Sequence, residues 1–197
     1  MVYTAETDPL CYPGTTVLRN KMGLTDQADL EEFELAMTLA RFDEPFLVGT
    51  LNYPHYLALH RHLFQDVYEW AGQLRTIRIG KVGNWFCYPE YIDGEMKRIF
   101  ADLQKAKHLV GLPPEVFAQK AAHVLAEINA VHPFREGNGR TQLAFLSLLA
   151  ENAGFGFDED LVEREKERVM AAMIESFSGS EEPLAALVLD IISVPAA

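Results

Sequence analysis

The stretch His132-Pro-Phe-Arg-Glu-Gly-Asn-Gly-Arg140 gathers four chemistries into nine residues. His132 is a group that can accept a proton near neutral pH. Glu136 offers hard carboxylate oxygens of the kind Mg²⁺ takes, one carboxylate together with substrate phosphates. Gly137, Asn138 and Gly139 can adopt positive φ, so that successive backbone N–H groups turn inward as an anion nest. A helix starts at this point, and its first turn adds unpaired N–H donors and a positive dipole end. Arg140 contributes a planar fork suited to phosphate oxygens. Base, cation ligand, nest and guanidinium together describe phosphoryl or nucleotidyl transfer to a hydroxyl. The plainer alternative, a helix-capping histidine beside an ordinary glycine loop, would hold for an isolated Gly-Asn-Gly. It sits poorly with four chemistries in one loop flanked by two apolar helices.

Those flanking helices follow from the pattern. Pro113 and Pro114 open one whose core face is Phe117, Ala121, Val124, Ile128 and Val131. Pro133 stops it and pushes His132 out of helical geometry. From Arg140 to Ala153 the chain is apolar nearly all round, the profile of a helix inside a bundle, and Gly154 ends it. Upstream, Leu30, Phe33, Met37 and Ala40 recur at helical spacing between Asp26 and Phe42. Tyr56, Leu59, Leu63, Val67 and Trp70 form a second stripe from Tyr53 to Trp70, closed by Ala71-Gly72. The period then changes: TIRI (76–79) and WFCY (85–88) read as strands of a hairpin with a five-residue loop at 80–84. A helix over about 90–107 follows, and two more, near 158–176 and 181–193, complete an all-α architecture with one small hairpin. A lone hairpin is marginal by itself, so it must lie on the bundle, where it can act as a flap.

Composition narrows the class. At 197 residues the chain suits one domain, 1–197, and 49% hydrophobic with 23% charged residues is ordinary for a globular protein. Twenty-nine acidic against 17 basic residues give a net charge of −12, which lacks the basic footprint of direct nucleic-acid binding. Cys11 and Cys87 are too few for a disulfide framework or a thiolate metal site, which makes a reducing compartment the default. Neither a secretory signal nor a membrane span is visible. A cytoplasmic location is the expectation, with export by a specialised secretion system left open.

HPFREGNGRTQ resembles the signature loop of the Fic family, H-P-F-x-[DE]-G-N-G-R-x-x-R. LHRHLFQDVYEWAGQLRT (59–76) is similar to the family's helix leading into its flap, and TIRIGKVGNWFCY to the flap itself, about 75–88. YPGTTVLRNKMGL (12–24) resembles the N-terminal segment of small stand-alone bacterial Fic toxins. The resemblance implies a Fic-type helical bundle that transfers AMP from ATP, with Mg²⁺, to a Tyr, Thr or Ser hydroxyl of a target protein. His132 would be the base that deprotonates the hydroxyl, and Phe134 would anchor the loop. Glu136 would bind Mg²⁺; Gly137, Asn138 and Gly139 would hold phosphates, and Arg140 would contact the β-phosphate. The flap, through Ile77, Ile79, Lys81, Gly83 and Asn84, would dock the target by strand addition. Relatives of this layout act on type II topoisomerase subunits, which makes such a subunit a candidate target.

The pattern breaks at its last position. The family's second arginine, which grips the γ-phosphate and pairs with an inhibitory glutamate, falls on Leu143. Leucine does neither, and ATP orientation should suffer. Three outcomes follow: slower AMP transfer, a different nucleotide donor, or a fold that binds nucleotide or a partner with little turnover. Leu143 also continues a core face with Leu146 and Ala150. The family's inhibitory motif, [ST]-x-x-x-E-[GN], matches at Ser147–Asn152, two to three turns down the helix that begins at the loop, where it cannot fold back. Inhibition is therefore expected from a separate small helical antitoxin. His60 and His62, two apart on a helix, read as structural; Trp70 as core; Phe86 and Tyr88 as strand packing.

Overall fold

The computed structural model describes residues 8–46, 49–81 and 84–194. They form two compact units, one from Met1–Asp93 with His132–Thr141 and one from Gly94–Val131 with Gln142–Ala197. The structure is mostly helical, as the sequence predicts.

In the first unit, α1 (Gln27–Phe42) starts at Asp26, whose carboxylate accepts the N–H groups of Ala28 and Asp29. The buried face of α1 is Leu30, Glu34 and Thr38; Phe33 and Met37 are half-buried, and Ala40 is exposed. The expected apolar stripe is thus rotated, because Glu34 and Thr38 have buried polar partners that no periodicity reveals. Helix α2 (Tyr53–Phe64) is capped by Asn52 and ends at Phe64, shorter than the expected run to Trp70. Val67 and Trp70 remain buried, but on turns.

The hairpin is smaller than expected. Strands β1 (Gly80–Lys81) and β2 (Asn84–Trp85) pair Gly80 with Trp85 and Lys81 with Asn84. TIRI forms no strand, and one further bond, Phe86 N–H to Ile79 C=O at 3.1 Å, continues the pairing. Gly83 lies outside the described residues.

The second unit packs α4 (Pro114–Val131) against α7 (Lys166–Phe177) and α8 (Glu182–Ile191). All five residues of the predicted α4 core face are buried. Asn129, amid them, donates to the Met173 carbonyl at 2.8 Å. Helix α5 (Asn138–Asn152) starts two residues before the expected point and buries Phe145, Leu146, Leu149 and Ala150. The expected helix at 158–176 is two, α6 (Glu159–Arg164) and α7, broken at Glu165. A second small sheet, unpredicted, pairs β3 (Gly156–Phe157) with β4 (Ile192–Ser193). Two-residue strands so far apart in sequence carry no local signal. Helix α3 (Pro89–Lys105) is followed by a short 3-10 turn, Lys107–Leu109. Among the described residues no helix is long and apolar enough to cross a membrane.

Candidate active site

The loop 132–137 has no regular secondary structure, so its backbone bonds come from elsewhere. His132 has φ +51, a left-handed conformation that side chains rarely adopt. Proline at 133 disfavours the right-handed alternative. The buried guanidinium of Arg75 then fixes the result: it donates to the His132 carbonyl at 2.7 Å, to Ile77 at 2.7 Å and to Cys87 at 2.5 Å. The Arg75 backbone N–H reaches the Pro133 carbonyl at 2.9 Å. One side chain thereby ties the loop to both arms of the flap. The sequence reading missed it; a lone arginine before the hairpin carried no spacing signal.

His60 performs the equivalent task for Glu136. Its Nδ1 accepts the Gly72 N–H at 2.8 Å, which puts the proton on Nε2, and Nε2–H donates to the Glu136 carbonyl at 3.0 Å. Phe134, fully buried, stacks on the His60 ring at 3.7 Å and on Tyr56 at 5.7 Å. Burial pushes the His60 pKa down to about 3, so the ring is neutral at physiological pH. His62 points elsewhere, to the Arg41 carbonyl at 3.0 Å.

Only Gly137 of the three expected positions has positive φ, +81. A Cβ there would fall 2.2 Å from the Phe64 ring. Asn138 and Gly139 instead begin α5. The Asn138 side chain is engaged on Phe134, accepting its N–H at 2.9 Å and donating to its carbonyl at 2.8 Å. Among the described residues the backbone N–H groups of Asn138, Gly139 and Arg140 have no protein acceptor, while Thr141 N–H returns to Gly137 C=O at 3.1 Å. The anion-binding donors are therefore those of a helix first turn. Gly139 is exposed and faces open space.

Two carboxylates flank Arg140. Glu34 of α1 accepts from Arg140 Nη2 and, on its other oxygen, from the Tyr68 hydroxyl. Glu136 Oε1 lies 3.7 Å from the same Nη2 and accepts the Gly137 N–H at 2.8 Å. Burial first, and the Glu34 charge second, push the Glu136 carboxyl above its usual value, although 28% of the side chain stays exposed. A carboxylate raised in this way gains from a cation. Its oxygens are hard donors of the kind that Mg²⁺ takes together with phosphates. Among the described residues no three metal-ligating side chains cluster, and a site completed by phosphates needs no such cluster.

The flap covers the histidine. Phe86, buried, stacks on the His132 ring at 3.8 Å with 11° between planes. Ile79 is fully buried, and the carbonyls of Ile77 and Ile79 are bonded to Arg75 and Phe86. On the outer side of the flap Tyr88 and Trp85 are exposed and enclose the Arg78 guanidinium, 3.9 and 4.7 Å from its carbon. Leu143, half-buried, lies three residues beyond Arg140 in α5. That helix is unbroken from Asn138 to Asn152, so Glu151 stays about 16 Å along it from Arg140 at ~1.5 Å per residue.

A helix first turn with a carboxylate and a guanidinium beside it, on a helical scaffold, is an arrangement suited to phosphate. The model of the Fic/DOC family matches residues 50–150, and the chain belongs to that family. It is 57% identical over 185 residues to the probable protein adenylyltransferase y4lH of Sinorhizobium fredii, covering 93% of this chain and 95% of the relative. It is 39% identical to the protein adenylyltransferase VbhT of Bartonella schoenbuchensis, covering 94% of this chain and 39% of that protein. Among solved structures, BepC of Bartonella tribocorum with bound AMPPNP superposes with a TM-score of 0.84 at 27% identity, covering 95% and 97% of the two chains.

The depressed pKa of His60 has a consequence for stability. Between pH 6.5 and about 3 the unfolded chain binds a proton at this position that the folded chain refuses. Its contribution is therefore present above pH 6.5 and lost as pH falls toward 3, at up to about 1.4 kcal/mol per pH unit. Denaturant titrations across that range should give a shallower pH slope for His60→Gln, by up to one proton. An unchanged slope would mean that His60 is charged in the folded state.

Proposed function

We propose that the chain is a protein adenylyltransferase that moves AMP from ATP to a hydroxyl side chain of another protein. The free N–H groups at the start of α5, beside Glu136 and Arg140, carry this reading. The adenylyltransferase relatives and the nucleotide-bound neighbour support it. Attack by the acceptor oxygen on the α-phosphorus forms the new P–O bond and releases pyrophosphate. His132, buried under Phe86, takes the hydroxyl proton. The N–H groups of Asn138, Gly139 and Arg140 receive phosphate oxygens, and the Arg140 fork meets the β-phosphate. Glu136 is the residue that would hold Mg²⁺, which when bound neutralises phosphate charge. The flap docks the target strand, with Lys81 and Asn84 paired across its hairpin. A type II topoisomerase subunit is the target class we favour. With α-labelled ATP and Mg²⁺ in a bacterial lysate, the chain should label a protein band, and His132→Ala should lose it at least ~10²-fold. Equal labelling by both would remove His132 from the mechanism.

Leu143 favours a second reading, in which the enzyme runs with weakened hold on the γ-phosphate or with another nucleotide donor. In the first case Leu143→Arg should raise kcat/KM for ATP by ~10-fold or more, the worth of one charged phosphate contact. No gain with ATP, but turnover of a nucleotide diphosphate, would favour the different donor.

A separate antitoxin is the proposed regulator, since Ser147–Asn152 is locked within α5. Leu143 gives such a partner's glutamate no second arginine, so its hold must come from other contacts. The chain should co-purify from its own cells with a small helical protein bearing [ST]-x-x-x-E-[GN]. Isolation without any such protein would count against this regulation.

A further inference from the structure

Glu34 lies outside the signature loop, 106 positions before Arg140 in the chain, yet it makes the closer of that arginine's two carboxylate contacts. It is a buried acid on a helix whose other acids, Asp29, Glu31 and Glu32, are exposed. Burial of a carboxylate is costly unless each oxygen is bonded, and here both are: Oε1 by Arg140 and Oε2 by the Tyr68 hydroxyl. Burial and the Glu34 charge hold the Tyr68 phenol far above its usual value, so it remains a donor.

Thr38 stands one turn further along α1. Its hydroxyl donates to the Glu34 backbone carbonyl at 2.8 Å, which leaves its oxygen lone pairs to accept from Arg140 Nη1 at 3.2 Å. The guanidinium therefore has one edge on α1, through two acceptors spaced a turn apart, and one face over the Phe64 ring at 4.7 Å. These bonds use two of the five guanidinium N–H groups. The Nε–H and one hydrogen on each Nη have no protein acceptor among the described residues. The arrangement also decides between the two carboxylates. Glu136 is 3.7 Å from Nη2, beyond hydrogen-bond reach, and its oxygens are not consumed by the arginine.

We propose that Glu34, braced by Tyr68 and seconded by Thr38, is a positioning residue that holds Arg140 in its phosphate-binding orientation and off Glu136. It acts through Arg140 and does not touch substrate. The proposal rests on the reading of Arg140 as a phosphate ligand. Without Glu34, the guanidinium is free to swing onto Glu136, the nearest remaining carboxylate, and that ion pair would close the phosphate site and the Mg²⁺ ligand together.

A double-mutant cycle on the full chain tests this, with ATP and Mg²⁺ as the probe in calorimetric binding and steady-state transfer. Glu34→Ala should weaken ATP binding ~10- to 100-fold and raise KM for ATP, the loss expected when one charged phosphate contact is misplaced. In an Arg140→Ala background the same substitution should do almost nothing further, because both changes remove one interaction. Glu34→Gln, isosteric, should fall between, and Tyr68→Phe should follow in the same direction with a smaller effect. These two carry the test if Glu34→Ala does not fold. ATP binding unchanged by Glu34→Ala overturns the proposal alone. So does a loss that adds fully to that of Arg140→Ala, or tighter binding, which would make Glu34 an obstacle to phosphate. Failure of the unaltered protein to bind ATP overturns the nucleotide site and this role with it.

Discussion

A loop without regular secondary structure has to find partners elsewhere for its buried backbone, and the first unit is organised around this constraint. Residues 132–137 carry carbonyls that need partners, and side chains and N–H groups from the segment 60–75 and from the start of α5 supply them. Arg75 takes the carbonyls of His132 and Pro133, and His60 takes that of Glu136. Asn138 takes both backbone groups of Phe134, and Thr141 takes the Gly137 carbonyl through its N–H and its hydroxyl. With the loop held from behind, the N–H groups of Asn138, Gly139 and Arg140 have no protein acceptor among the described residues. Preorganised donors of this kind are effective because nothing has to rearrange when charge arrives.

Charge at the site is arranged with similar economy. A chain of net charge −12 has to bind a polyanion, so the local field must differ from the global one. The helix N-terminus and Arg140 provide it. Glu34 and Glu136 share that single guanidinium unequally, one as its anchor and the other left with unused oxygen capacity. Burial, and after it the Glu34 charge, raise the Glu136 carboxyl above its usual value, so added positive charge would favour its ionised form. Leu143, half-buried, belongs to the apolar run with which α5 continues.

Histidine chemistry divides by backbone. His60 sits mid-helix, fully buried among Phe64, Phe134 and Trp70, and burial makes it neutral and purely structural. His132 sits just past a helix end in a left-handed conformation, held by its own carbonyl while its ring is clasped by Phe86. Two residues of one type thus hold opposite offices, one carrying the loop and one carried by it.

Much of this was legible in the residue order, for reasons that are local. Proline at 133 and glycine at 137 dictate backbone geometry wherever they stand; the apolar periodicity of α4 and α5 fixes those helices; and the nine residues of the loop bring their chemistry together by adjacency alone. What adjacency cannot convey is the origin of the support. Arg75, His60, Glu34 and Tyr68 have no common spacing with the loop, and each looks ordinary in its own segment. The buried face of α1 came out rotated because Glu34 and Thr38 are buried through bonds to Arg140 and Tyr68, partners that hydrophobic period does not register. Strand lengths in the flap and the β3–β4 pair were likewise settled by pairings with no local propensity behind them. The sequence by itself determined the reactive groups and the helices that present them, because short-range sterics and periodicity suffice for both. Only the tertiary structure decided which distant side chains hold those groups in place, because satisfying buried backbone and charge depends on where the chain returns in space.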